Sequence, residues 1–236
     1  MNKEKKIFIF VLLAIIMIGV SGCMNNEFFK SDEAIRDDIL ERLHKKYGVE
    51  FVAISLVRGY EYSLYCYPKG GDPEADLVKA IIREDKGKER EYLDTYFGII
   101  IREEFEADIL SVLSDIDVPK AVFLDSQREY YKEQFDGTKN YSDYKEWLRE
   151  GNPWRPRVTV VLGLDNVDEA ESYANQIFGK ASDGGVRGFI TVRVFPPEGL
   201  SRATRVNLDE LTREYDPRRP DKGEYGPSKI VFSESI

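Results

Sequence analysis

Acidic side chains in close groups are the commonest chemistry-bearing feature of this sequence: Glu103-Glu104 with Glu106 and Asp108, Asp115 with Asp117, and Asp165 with Asp168 and Glu169. Two carboxylates roughly 5 to 10 Å apart across a sugar cleft, flanked by aromatic platforms, are what a glycosidase needs. The Asp165 group also stands where a strand gives way to a helix, and there Asn166 and first-turn acids are expected from capping and the helix dipole alone. Ser142-Asp143-Tyr144-Lys145 puts an amine one helical turn from a hydroxyl that it can activate, but no Lys-Thr-Gly accompanies it, and Ser142 reads as a helix N-cap. His44 is the single histidine and flanks the apolar stripe of a helix, so a metal there needs carboxylate partners. Cys66, in phase with Tyr62 and Leu64, reads as a buried, unreactive side chain. No calcium loop, glycine-rich phosphate loop, His-Glu-x-x-His or Gly-x-Ser-x-Gly is present, and no cofactor is expected.

Two aromatic and basic groups point to binding. In Asn152-Pro153-Trp154-Arg155-Pro156, Trp154 and Arg155 sit in a loop joining a helix to a strand, where they either anchor a partner or close the end of the core. Arg202, Arg205, Arg213, Arg218 and Arg219 can pair with the acidic N-terminal half.

The elements that must position these residues follow from hydrophobic periodicity. Residues 31–47 carry Ile35, Ile39, Leu40, Leu43 and Tyr47 on one stripe with Ser31 before and Gly48 after, which predicts an amphipathic helix. Residues 49–57 and 60–67 predict a hairpin turned at Arg58-Gly59, and residues 77–83 a third strand turned at Asp85-Lys86-Gly87. A long helix is expected over 92–112, a short strand over 121–124 and a helix over 142–149. Strand 157–164, helix 167–178 and strand 186–195 then make a β-α-β arrangement, with a further strand over 200–208. The expected fold class is α+β: a mixed or antiparallel sheet packed with amphipathic helices, divisible into two small α/β subdomains over 31–136 and 137–213. From residue 214 the Pro-, Gly- and Arg-rich composition predicts an irregular tail.

The first residues carry a different kind of signal. A basic head containing Lys3, Lys5 and Lys6 precedes an apolar run over residues 7–20, the profile of a signal peptide. As a helix that run reaches roughly 21 Å, short of the ~30 Å hydrocarbon core, which makes a simple transmembrane anchor the second choice. The run ends in Val20-Ser21-Gly22-Cys23, and this resembles the lipobox of bacterial lipoproteins; an ordinary secretory signal is the alternative. The resemblance implies that residues 1–22 are removed, that Cys23 carries a diacylglyceryl group and becomes the mature N-terminus, and that the protein sits lipid-anchored on the outer face of the cytoplasmic membrane. Residues 23–30 then form a tether with a reach of roughly 28 Å. Further along, Tyr47-Gly48-Val49-Glu50-Phe51 and Tyr65-Cys66-Tyr67-Pro68 are similar to uncharacterised lipoproteins of Gram-positive bacteria, which implies a compartment and carries over no activity.

Charge limits the partners. The chain has 34 basic and 43 acidic residues, a formal charge of −9. After residue 22 the counts are 31 and 42, so lipid and not a basic surface must hold it at an anionic bilayer, and nucleic acid is not expected as a partner. One histidine and two cysteines are too few for a multi-cysteine zinc site or a disulfide framework. The functional expectation is a non-catalytic binding or interaction role at the cell envelope, with the membrane contacted through the N-terminal lipid and an envelope protein or glycan as partner. The alternative is a small envelope hydrolase using paired carboxylates.

Overall fold

The computed structural model describes residues 31–83, 90–152, 156–214 and 229–235. The fold is α+β. Two compact units divide the chain, Met1–Asp38 and Ile39–Ile236. The first helix, α1 (Asp32–Tyr47), starts where Ser31 Oγ accepts the Ala34 N–H at 3.2 Å, and Ile39, Leu43 and Tyr47 of its predicted stripe are buried. It stops at Gly48, whose φ of +70° is a conformation that glycine adopts without a Cβ penalty.

In the second unit, β1 (Phe51–Arg58), β2 (Tyr62–Pro68), β3 (Val78–Arg83) and β4 (Glu91–Asp94) form an antiparallel meander in sequential order. The hairpin and third strand stand as expected; the turn at Asp85-Lys86-Gly87 lies outside the described residues. The helix expected from residue 92 begins later, as α2 (Tyr96–Val112), because residues 91–94 pair with β3 instead. Thr95 extends that pairing: its N–H donates to Lys79 O at 3.1 Å and its Oγ1 accepts Lys79 N–H at 3.0 Å.

The second sheet is built from β5 (Lys120–Leu124), β6 (Arg157–Gly163), β7 (Phe189–Phe195) and β8 (Lys229–Ser235). β6 and β7 are parallel, joined through a 3-10 turn at Val167–Glu169 and α4 (Ala170–Asp183), while the outer strands run antiparallel. α3 (Tyr141–Arg149) lies between β5 and β6 in sequence. The sheet draws β5 from before residue 136 and β6 to β8 from after it. Two expectations are corrected here. Residues 200–208 form no strand: α5 (Pro197–Arg202) and α6 (Leu208–Glu214) occupy this stretch, since Pro197 at the first helical turn favours helix and the Thr204 and Asn207 side chains cap the connecting turn. The tail is not irregular throughout, because β8 pairs with β7, with Val231 opposite Val192.

Alternation gives the second sheet two unlike faces. Val122, Leu124, Val158, Val160, Leu162, Ile190, Val192 and Val194 are all buried on one face, on the side where α2 and α4 pack. The other face carries Phe123, Arg157, Thr159, Val161, Arg193 and Phe195. Its far end is closed, where Val161 and Phe195 pack with Leu208 and Leu211. An aromatic cluster of Phe97, Tyr131, Phe135, Tyr144 and Trp147 joins α2, the 131–135 segment and α3, with Trp147 stacked on Tyr144.

Candidate functional site

The uncovered half of that second face is the floor of a cleft of about 1180 Å³. Phe123 and Thr159 are register partners on adjacent strands of the floor, and Arg157 and Arg193 flank them. The opposite wall comes from the first sheet, where Ser55, Tyr65 and Lys79 are successive partners in one row across β1, β2 and β3. Residues 73–77 and the 125–130 loop close one side, and Arg205, Val206, Leu208 and Asp209 the other. Gly98 of α2 lets the helix approach that loop: a Cβ there would meet Ser126 Cβ at 3.1 Å. Arg102 steadies the facing loop by donating to Ala75 O at 3.0 Å.

Five cations line the cleft, Lys79, Arg128, Arg157, Arg193 and Arg205, against the carboxylates Glu74, Asp125 and Asp209. Arg205 forks onto Glu106 at 3.1 and 3.3 Å and lies 6.0 Å from the Phe123 ring centre. Glu106 in turn accepts Leu124 N–H at 2.8 Å, so this acid fixes both the end of β5 and the arginine above it. Arg193 donates to Leu208 O at 2.9 Å and pairs with Asp209 at 2.8 Å. Lys79 stands 3.6 Å from Glu61, and its hydrogen bond with Tyr130 holds the ammonium above its ordinary pKa. Arg128 reaches Asp125 at 3.0 Å. Arg157 is exposed on the floor, 5.4 Å over the Phe189 ring, and among the described residues no carboxylate lies within ion-pair reach of it. Partial burial raises the pKa of Asp125 and Asp209 adds to the rise, while Arg128, Gln127 and Arg157 pull it back.

Behind the loop, Glu129 is buried and its Oε2 accepts the hydroxyls of Tyr131 and Tyr144 at 2.7 and 2.9 Å. Burial raises its pKa above the ordinary glutamate value, and the hydrogen bonds only partly offset this. Asp94 holds the same region from the first sheet. It receives Lys46 Nζ at 2.8 Å, Tyr47 Oη at 2.8 Å and Tyr96 N–H at 2.9 Å. Removing one partner from a buried pair of this kind costs about 3–5 kcal/mol.

The carboxylate groups singled out in the sequence do not converge on the cleft. Glu106 is engaged with Arg205, Asp108 accepts Tyr141 Oη and Lys145 Nζ at 2.8 Å each, and Asp115 pairs with Lys180. Asp165, Asp168 and Glu169 are exposed at the 3-10 turn, where Asn166 Oδ1 accepts Asp168 N–H at 3.0 Å. Lys145 being tied to Asp108, Ser142 has no free amine beside it; the N-cap of α3 is Asn140, which shares a capping box with Asp143. Cys66 is fully buried and its thiol is pushed up to about 12, chiefly by burial. His44 is exposed, with Nδ1 3.2 Å from Val49 O. Among the arginines, Arg205 does pair with the acidic N-terminal half, through Glu106. Cys23, Trp154 and Arg155 lie outside the described residues.

Sequence reasoning passed over Lys79, Arg128, Arg157, Arg193 and Asp125. A signal for two of them was present: Arg157 and Arg193 each share an alternating face with a Thr inside otherwise apolar strands, and Arg193 with Phe189 and Phe195 as well, which marks a face that is not wholly buried. A second charged depression, of about 670 Å³, is lined by Arg42, Lys45, Lys132 and Glu133 among others; there Lys132 is 2.8 Å from Glu91.

No protein-family model matches the chain, and no curated protein matches it. A solved structure of a DUF5037 family protein from Ruminococcus gnavus is similar at 16% identity with a TM-score of 0.44, over 85% of this chain and 92% of that one.

Proposed function

We propose that the chain is a lipid-anchored extracytoplasmic binding protein, held at the outer face of the cytoplasmic membrane through Cys23, whose cleft takes up an anionic envelope ligand without transforming it. The observation that carries this reading is the convergence of Lys79, Arg128, Arg157, Arg193 and Arg205 with Tyr65, Phe123 and Tyr130 on one cleft of a chain whose formal charge is −9. Concave sites that combine apolar walls with a few converging polar groups are the usual form of a ligand pocket, and guanidinium forks suit carboxylate and phosphate groups. A local excess of positive charge in an acidic protein also selects for anions over the rest of the surface.

A second reading, a small envelope hydrolase, is favoured by one observation: Asp125, whose carboxyl is raised, shares the cleft with Asp209. A raised acid beside a second carboxylate is a usable general acid. Incubating the purified full chain with isolated cell-wall polymer separates the two. The binding reading predicts that polymer is retained by the protein at unchanged length and that membrane association is lost in Cys23→Ala. Cleavage abolished by Asp125→Asn would overturn it in favour of the hydrolase.

A further inference from the structure

We propose that the partner is an extended acidic peptide segment that adds as a strand to the open edge of β1 and turns its carboxylates into the cleft. This rests on the binding role above and narrows it to one ligand chemistry. β1 is the terminal strand of its sheet, paired with β2 alone, and among the described residues no other strand meets its outer edge. Edge strands of this kind are normally protected by lysine, proline, shortness or a covering loop, because their free N–H and C=O groups template another chain. β1 is eight residues long and has neither charge nor proline between residues 51 and 57; among the described residues its protective devices are one bulge between Ala53 and Ser55 and the exposed Arg58 at its end. Three of its five exposed side chains are apolar, Val52 at 38%, Ile54 at 52% and Val57 at 51% accessible, the others being Ser55 and Arg58.

The edge opens directly onto the cationic cleft. Ile54 and Ser55 at the bulge line it, and the Ser55–Tyr65–Lys79 row leads inward from them. A strand laid along β1 has alternate side chains on opposite faces. One set lies beside Val52, Ser55 and Val57, on the face of Tyr65 and Lys79, and looks into a cleft lined by five cations and three carboxylates, while the other lies beside Phe51, Ala53 and Leu56. Backbone pairing supplies affinity and the alternate side chains supply selectivity, which is the logic of strand addition. Charge complementarity selects an acidic segment over a second copy of this chain, since β1 itself carries no acid between residues 51 and 57 to offer the cleft.

The test uses the full chain in non-ionic detergent and a capped heptapeptide alternating Glu and Val. Controls are the same peptide with Lys for Glu, the same peptide N-methylated throughout, and dextran sulfate as an anion with no strand-forming backbone. The acidic peptide is expected to bind at least tenfold more tightly than either peptide control. It should slow amide exchange across residues 51–57, and it should lose about tenfold in affinity in the Arg157→Gln variant, the scale of one charge-assisted contact. Equal binding of the N-methylated peptide, or unchanged exchange in β1, overturns the proposal. So does slowing of β1 exchange with protein concentration alone, which would assign the edge to a second copy. If dextran sulfate binds in an Arg157-dependent way and the peptide does not, the binding role stands and the peptide assignment fails; if neither binds, both fail.

Discussion

Arg157 and Glu129, far apart in sequence, are linked through one backbone hydrogen bond at the base of the 125–130 loop. The Arg157 carbonyl accepts Asp125 N–H at 2.9 Å, which anchors the loop carrying Arg128 and Glu129, while the guanidinium lines the cleft and stands 5.4 Å over the Phe189 ring. Glu129 lies behind that loop among tyrosines, and burial is the largest cause of its raised pKa. A carboxyl raised in the folded state keeps its proton at a pH where the unfolded chain has lost it. The folded state therefore binds more protons in that window, and stability falls as pH rises from the ordinary value of 4.5 toward the folded value. Glu129→Gln keeps a carbonyl to accept the two tyrosine hydroxyls and removes the ionisation. Urea unfolding from pH 4 to pH 8 should show the wild type losing stability relative to Glu129→Gln as pH rises. A difference that is flat across this range would mean that the buried carboxyl titrates normally.

At the level of elements, α3 is fixed by its first turn. Asn140 Oδ1 accepts Asp143 N–H at 3.2 Å and Asp143 returns the contact to Asn140 N–H at 2.9 Å, so two otherwise unsatisfied donors are paired. Asn140→Ala should cost about 1 kcal/mol in chemical denaturation, whereas Ser142→Ala, at an exposed helical position, should stay within about 0.5 kcal/mol. Equal losses would contradict the assignment of the cap. The same comparison shows which parts of the fold could be read from sequence. The Ile39, Leu43 and Tyr47 stripe, the β1–β2 hairpin and the β6–α4–β7 unit rest on local periodicity and stand as expected. Residues 91–94 and 229–235 do not have that property. Each is a short segment whose state is decided by pairing with another strand, the preceding β3 in one case and the more distant β7 in the other. The cleft was invisible for a related reason: its cations come from β3, β6, β7 and two loops, and only the packing of the two sheets brings them together. The acidic groups were legible as clusters, but spacing alone could not show that Glu106, Asp108 and Asp115 would each be taken by a cation.

Over the whole molecule, charge is uneven in a way that supports the binding reading. Residues 23–136 carry 16 basic and 26 acidic side chains, and residues 137–236 carry 15 and 16. Within that acidic background two depressions gather cations, the large cleft and the smaller one lined by Arg42, Lys45 and Lys132. The cleft differs in offering an aromatic and apolar surface beside its charges, with Tyr65, Phe123, Tyr130 and Ile54 on its walls. A lipid at Cys23 would keep that surface within a short tether of the bilayer, where neither an acidic body nor a basic patch could hold it. The claim that the cleft is the place of binding is tested most directly by a hydrogen-exchange footprint of the full chain with and without dextran sulfate at low salt. Protection is expected across residues 123–130, 157–159 and 203–209, and it should fade as salt screens the charges. Protection confined to residues 42–46 and 132–136, with the cleft unchanged, would contradict the account.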